Sequence, residues 1–286
     1  MIQTMRHRVI AIVFCLLAVL LSAGPVDGMG LAARADVLRP STEAFATVAQ
    51  TVQAERNSRN WSGYAVANFQ TGRDYTSAAA TWVVPTVTVP TGVSASYSDS
   101  WVGVGGYCLD LACTSVDQTL IQLGTEQDAF SDGSTDYFAW YDLIPHPMHR
   151  VHELRVRPGD TIKASLEVIE VNKKNQTWRL SIANMTTGKT WEKDVKYDSS
   201  LTSAEWIQEA PISSVPAVLP LANYGSMTFN PVTANGVNPK LKFEDNAIVL
   251  VDPLGQTSNP SKPDKDRDGF RVCWGSGTTL TPCSPP

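Results

Sequence analysis

The chain has 286 residues, 43% of them hydrophobic and 18% charged, with 19 Gly, 18 Pro and eight Trp. This composition excludes a disordered chain, a coiled coil and a collagen, and it suits a turn-rich fold with aromatic strands. The formal net charge is −5 and no run of five Lys or Arg occurs, so the electrostatic footprint of a nucleic-acid binder is missing.

Met1 to Gly24 contains no Asp or Glu; Arg6 and Arg8 precede the apolar run Val9–Leu21, and Ser22, Ala23 and Gly24 follow it. Residues 1–24 therefore read as a secretory signal peptide, since the run falls short of the ~20 residues of a membrane span. The mature chain is expected to be secreted, with no membrane association. Removing the signal also removes Cys15 and leaves Cys108, Cys113, Cys273 and Cys283. Four cysteines in an exported chain favour disulfides, with 108–113 and 273–283 as the preferred local pairs; neither spacing is the CxxC of a zinc site. Residues 25–57 are rich in Ala, Val and Thr, with one weak helical pattern from Ser41 to Glu55. They read as a propeptide or a linker. The remaining 58–286 is expected to be a single domain.

After Asn60 the sequence becomes a series of short β-type runs between turn signals. WSGYAVAN, SAAATWVVP, SWVGVGG, TLIQLGTEQ, DYFAWYDLIP, TIKASLEVIEV, AEWIQEA, MTFNPV, KLKFEDNAIVLVD and GFRVCWG belong to this series, and many alternate apolar with polar or small residues. Such period-two patterning, with no sustained 3.6 period, predicts an all-β, antiparallel fold: a two-sheet sandwich or a barrel. Asn184–Lys189 and Arg157–Asp160 carry the residues of tight turns.

The common nucleophile signals are missing: no GxSxG elbow occurs. His146, His149 and His152 lie in HPMHRVH, a three-residue spacing interrupted by Pro147, which suits neither a helical nor a strand-borne metal pair and is expected to be a solvated loop. DKDRDG, Asp264 to Gly269, opens like a calcium loop, but Gly275 stands at the twelfth position where a bidentate Glu is needed. A polar turn is expected there. Polar residues embedded in apolar strands are more informative: Gln122 lies between Ile121 and Leu123, and Glu209 closes AEWIQE. A carboxylate can take a proton from water while a carboxamide donates to a developing oxyanion.

At these residues the chain resembles the glutamic peptidases, or eqolisins. The similar stretches, in family order, are NWSGYAV, ATWVVP, SWVGVGG, LIQLGTEQ, YFAWYDLIP, RPGDTIKASL and AEWIQEAP, with DRDGFRV corresponding to a final strand. The resemblance implies a two-sheet antiparallel β-sandwich of the concanavalin-like jelly-roll type, and a secreted, acid-acting endopeptidase in which a Glu/Gln dyad activates water. The family glutamine falls on Gln122, the glutamate on Glu209 and the cleft tryptophan on Trp101. Supporting acids fall on Glu126 and Asp142, with Tyr141 beside them. The family often carries Asp where this chain has Gly105. No metal or cofactor is implied; polypeptides are the expected substrates and a monomer the expected state. A competing reading is a carbohydrate-binding sandwich using Trp61, Trp82, Trp101 and Trp140 as a stacking platform, or a glycosidase using Glu126 and Glu209. Sequons occur at Asn60, Asn175 and Asn184.

Overall fold

The structure, a computed structural model, describes residues 57–172, 175–213, 217–276 and 283–286. The expected signal peptide, and the expected propeptide up to residue 56, lie outside these residues. The strands are β1 (Asn57–Ser58), β2 (Trp61–Ala67), β3 (Ser77–Val83), β4 (Ala95–Gly105), β5 (Leu120–Phe130), β6 (Thr135–Ile144), β7 (His149–Arg155) and β8 (Thr161–Asn172). They continue with β9 (Asn175–Asn184), β10 (Lys189–Lys196), β11 (Ser203–Glu209), β12 (Ser226–Ala234), β13 (Ala247–Val251), β14 (Gln256–Pro260) and β15 (Phe270–Ser276). The helices among the described residues are single turns, α1 (Asn68–Thr71) and α2 (Phe243–Asn246).

The strands form one hydrogen-bonded path in the order β10-β9-β8-β3-β12-β15-β14-β13-β2-β11-β4-β5-β6-β7. Its pairings are antiparallel; the parallel pair is β1 alongside β13. In place of two separate sheets there is a continuous, nearly closed, barrel-like sheet. The cause is β13. Its end, Leu250 and Val251, pairs with β14, while its start, Ala247 and Ile248, pairs with β2. Among the described residues no free edge then divides the halves, and unpaired edges are what a sheet protein must otherwise cover.

The two halves face each other across an apolar core. Trp82 of β3 donates its indole N–H to Thr125 Oγ1 of β5 at 3.1 Å, and Trp206 of β11 donates to the Ala79 carbonyl of β3 at 2.8 Å. Ile121, Leu123, Val102, Val104 and Trp206 from one half join Ile162, Leu166, Leu180, Phe229 and Phe270 from the other. The path's ends approach at Lys193 of β10, which donates to the Tyr141 hydroxyl of β6 at 2.7 Å, while Trp191 stacks on the same ring.

The alternating runs form strands where expected, and the turns at Arg157–Asp160 and Asn184–Lys189 connect β7 to β8 and β9 to β10. Three details differ. HPMHRVH is not wholly a loop: His149 begins edge strand β7, which pairs with β6. Its buried residues Val151 and Leu154 are three apart, because the pairing with β6 shifts register after Val151, so the sequence shows no period-two alternation there. The polar segment QTSNP forms β14, and α2 interrupts KLKFEDNAIVLVD before β13. Cysteines 108 and 113, and 273 and 283, form the two expected disulfides, which removes the zinc reading.

Candidate active site

Cross-strand partners in an antiparallel sheet point to the same face, so the register of β2, β11, β4, β5 and β6 defines a surface opposite the main core. One row across it reads Trp61, Glu209, Asp99, Glu126 and Phe138. The next reads Gly63, Ile207, Trp101, Gly124 and Trp140, and the third Ala65, Glu205, Gly103, Gln122 and Asp142. Five of the six residues expected at the site, Gln122, Glu209, Trp101, Glu126 and Asp142, thus share one face. Tyr141 does not. Strand alternation turns it to the opposite face, where it stacks on His149 and Trp191 and receives the Lys193 hydrogen bond.

A second apolar cluster floors this face: Trp61, Trp101, Trp140, Phe138, Ile207 and Leu120 belong to it, with Tyr107, Cys108 and Val116 from the loop between β4 and β5. Trp61 meets Trp101 edge-on, ring centroids 5.0 Å apart. The four tryptophans do not form one sugar platform: Trp82 lies in the main core, whereas Trp61, Trp101 and Trp140 belong to the second cluster.

Glu209 is held at both oxygens. Asn60 Nδ2 donates to Oε1 at 3.0 Å and Trp101 Nε1 donates to Oε2 at 2.7 Å. Asn60 is itself fixed by Ser58, whose hydroxyl donates to Asn60 Oδ1 and accepts from the Trp61 amide. The carboxylate is 2% exposed, which makes two charge-assisted donors a strong restraint. Gln122, fully buried, directs Nε2 towards Asp142 Oδ2 at 3.5 Å and leaves Oε1 without a hydrogen-bond partner among the described residues. Gln122 and Glu209 lie diagonally on either side of Trp101. Strand spacing puts their Cα atoms on the order of 15 Å apart, so the two do not bond directly.

The face is crowded with buried acids. Asp99, Glu126 and Glu205 are fully buried and Asp128 nearly so. Burial, followed by the charges of Asp99 and Asp136, pushes the Asp128 carboxyl up to about 8. Burial, with the charge of Asp117 adding to it, holds Glu205 well above the usual carboxylate range. Both acids therefore keep their protons in acid, as desolvation penalises the charged form. Asp117 lies beside Gly105. Gly105 has φ 88°, and a Cβ there would meet the Thr119 carbonyl and approach Asp117 Oδ2 at 3.1 Å. Asp117 is fixed by Thr119, Ser200 and Thr202.

Asn60, Asp99, Glu205 and Asp128 were not expected at the site. Asn60 precedes its strand and Asp99 lies among serines, so neither interrupts an apolar run as Gln122 does. At the chain's other end, Asp264, Asp266 and Asp268 bring carboxylate oxygens within 4.8 Å of one another. The expected turn is present, with Asp264 Oδ1 accepting from the Arg267 and Asp268 amides.

The antiparallel barrel-like fold thus sets a doubly held carboxylate and a carboxamide on one apolar-floored face, groups whose chemistry allows proton transfer from water and hydrogen-bond donation to an oxyanion. The sequence matches the Peptidase A4 family over residues 59–266, and the chain belongs to that family: it is a peptidase. It is 27% identical over 222 residues to aspergillopepsin-2 of Aspergillus niger, covering 70% of this chain and 73% of that protein. In fold it is similar to scytalido-glutamic peptidase solved with a transition-state analogue inhibitor (TM-score 0.55, 20% identity, 76% of this chain and 98% of that one). It is also similar to SCP-B, an eqolisin solved with the tripeptide Ala-Ile-His (TM-score 0.51, 19% identity, 76% and 98%).

Proposed function

We propose that this peptidase is a secreted, acid-acting endopeptidase in which Glu209 and Gln122 form the catalytic dyad. The observation that carries the reading is the clamp on Glu209: two donors, Asn60 and Trp101, orient its carboxylate beside an aromatic floor. The ionised carboxylate is the form that accepts a proton, and the two donors fix its orientation. In this reading the scissile carbonyl is held between the two polar groups. Glu209 takes a proton from water as its oxygen attacks the carbonyl carbon, and Gln122 Nε2–H donates to the oxygen that gains negative charge. Glu209 then returns the proton to the leaving amine as the C–N bond breaks.

Asp142 supports the role of Gln122, because a carboxylate acceptor on Nε2 selects the orientation of the amide. Asp128 and Glu205 support operation in acid. Neutral there, they become uncompensated buried charges as pH rises. The two halves of the strand path act in this account as the layers of a jelly-roll sandwich. Export through residues 1–24, processing within 25–57 and a monomeric mature chain complete it.

Digestion of casein or denatured globin at pH 3–5, with and without EDTA and with serine and cysteine reagents, tests this function. Cleavage that survives all of them is expected; none over that range would leave the face a binding surface.

A further inference from the structure

Trp101 owes its position to two residues that have no side chain. Gly103 follows it on the same face of β4, and Gly124 of β5 is its cross-strand partner. A Cβ at Gly103 would lie 2.9 Å from Trp101 Cζ3, with the Ile121 carbonyl and Leu120 Cδ1 each at 3.1 Å. A Cβ at Gly124 would meet the Ser100 carbonyl and lie 2.6 Å from Trp101 Cβ. The indole thus lies in a trough along the sheet. Trp61 closes one side edge-on. The ring carbon Cζ3 rests over Gly103 while Nε1 reaches Glu209.

We infer that Gly103 and Gly124 are positioning residues: their bare backbone seats the Trp101 indole so that Nε1 meets Glu209 Oε2. The inference rests on the dyad reading for its effect on turnover, but not for its geometry. Ring and carboxylate are coupled through a single hydrogen bond. A methyl group at Gly103 displaces the ring at the edge opposite Nε1 and tilts the donor away from Glu209. Gly103 is the testable position, since its nearest neighbour is a side chain, whereas a substituent at Gly124 runs into backbone.

The test is a double-mutant cycle between Gly103→Ala and Trp101→Phe, read by kcat and KM on a peptide substrate. The indole N–H resonance of Trp101, assigned by its loss in Trp101→Phe, provides a second readout. Gly103→Ala is expected to lower kcat by about 10²-fold with KM nearly unchanged, as a misplaced group near the chemistry does. It should also move the Trp101 resonance. On a Trp101→Phe background the same substitution should change kcat less than about twofold, because residues acting through one contact are not additive. Full additivity, or an unmoved Trp101 resonance in folded Gly103→Ala, overturns the inference. If Gly103→Ala alone does not fold, the Gly103→Ala/Trp101→Phe pair is expected to restore folding by removing the obstructing indole; failure of the pair as well assigns the obstruction to backbone and overturns it. The resonance needs no turnover. A moved peak alongside an active Glu209→Gln variant therefore separates failure of the dyad reading from failure of this one.

Discussion

The indole nitrogen of Trp101 and the carboxylate of Glu209, 108 positions apart in sequence, meet in a 2.7 Å hydrogen bond across adjacent strands β4 and β11. The bond is buried, so it fixes the direction in which Glu209 presents its lone pairs. Removing it by Trp101→Phe leaves a buried carboxylate short of one donor. A hydrogen bond to a charged group is worth about 1.5–3 kcal/mol, and activity is expected to fall by roughly 10- to 100-fold. Steady-state kinetics with a stability control check this.

Asn60 holds the other oxygen of the same carboxylate. Asn60→Ala is expected to reduce kcat/KM by about 10-fold or more, by the same loss of a charge-assisted donor. Its hydrogen-bond partner Ser58 should matter less, because Ser58 reaches Glu209 only through Asn60. A Ser58→Ala variant with the larger loss would contradict this order.

Asp128 makes stability depend on pH in a defined direction. Its folded pKa, about 8, lies above its ordinary value of 3.8, so the folded state binds the proton more tightly. This contribution is complete below about pH 4 and is lost as pH rises through about 8. Thermal melts of the wild type should therefore fall across that window, and Asp128→Asn should flatten the slope. A variant with the wild-type slope would contradict the assignment.

Glu205 acts in the same sense, since burial raises it well above 4.5. Glu205→Gln, which resembles the neutral acid in shape, is expected to leave stability at pH 4 nearly unchanged and to raise it at pH 8. Denaturant midpoints at the two pH values check both halves of the expectation.

The Cys108–Cys113 bond closes a five-residue separation in the loop that contributes Tyr107 and Val116 to the aromatic floor. Chain entropy assigns such a short closure about 2 kcal/mol. The double Cys→Ser variant should melt several degrees lower and retain activity at temperatures where it remains folded.

Much of this architecture is legible in the sequence, because period-two alternation survives wherever one strand face meets the core. Gln122 stands out between Ile121 and Leu123 for that reason: the neighbours face the core and the amide faces the site. Edge strand β7 and polar β14 lack a continuous apolar face and could not be read in the same way. The joining of the halves at β13 depends on how five residues pair at both ends, which composition does not encode. Tyr141 shows the limit of motif adjacency. Next to Asp142 in the chain, it points to the other side of the sheet. Asn60 and Asp128 become site residues only through register, one at a strand entrance and the other deep in a row of acids.

The central claim is that the Glu209 carboxylate and the Gln122 carboxamide together activate water and stabilise the oxyanion. The most direct measurement is kcat of purified, folded Glu209→Gln and Gln122→Ala on a fluorogenic peptide between pH 3 and 5. Each variant is expected to fall by about 10³-fold or more, in the range of lost acid–base and oxyanion contributions. Turnover within tenfold of the wild type in either variant would contradict the dyad.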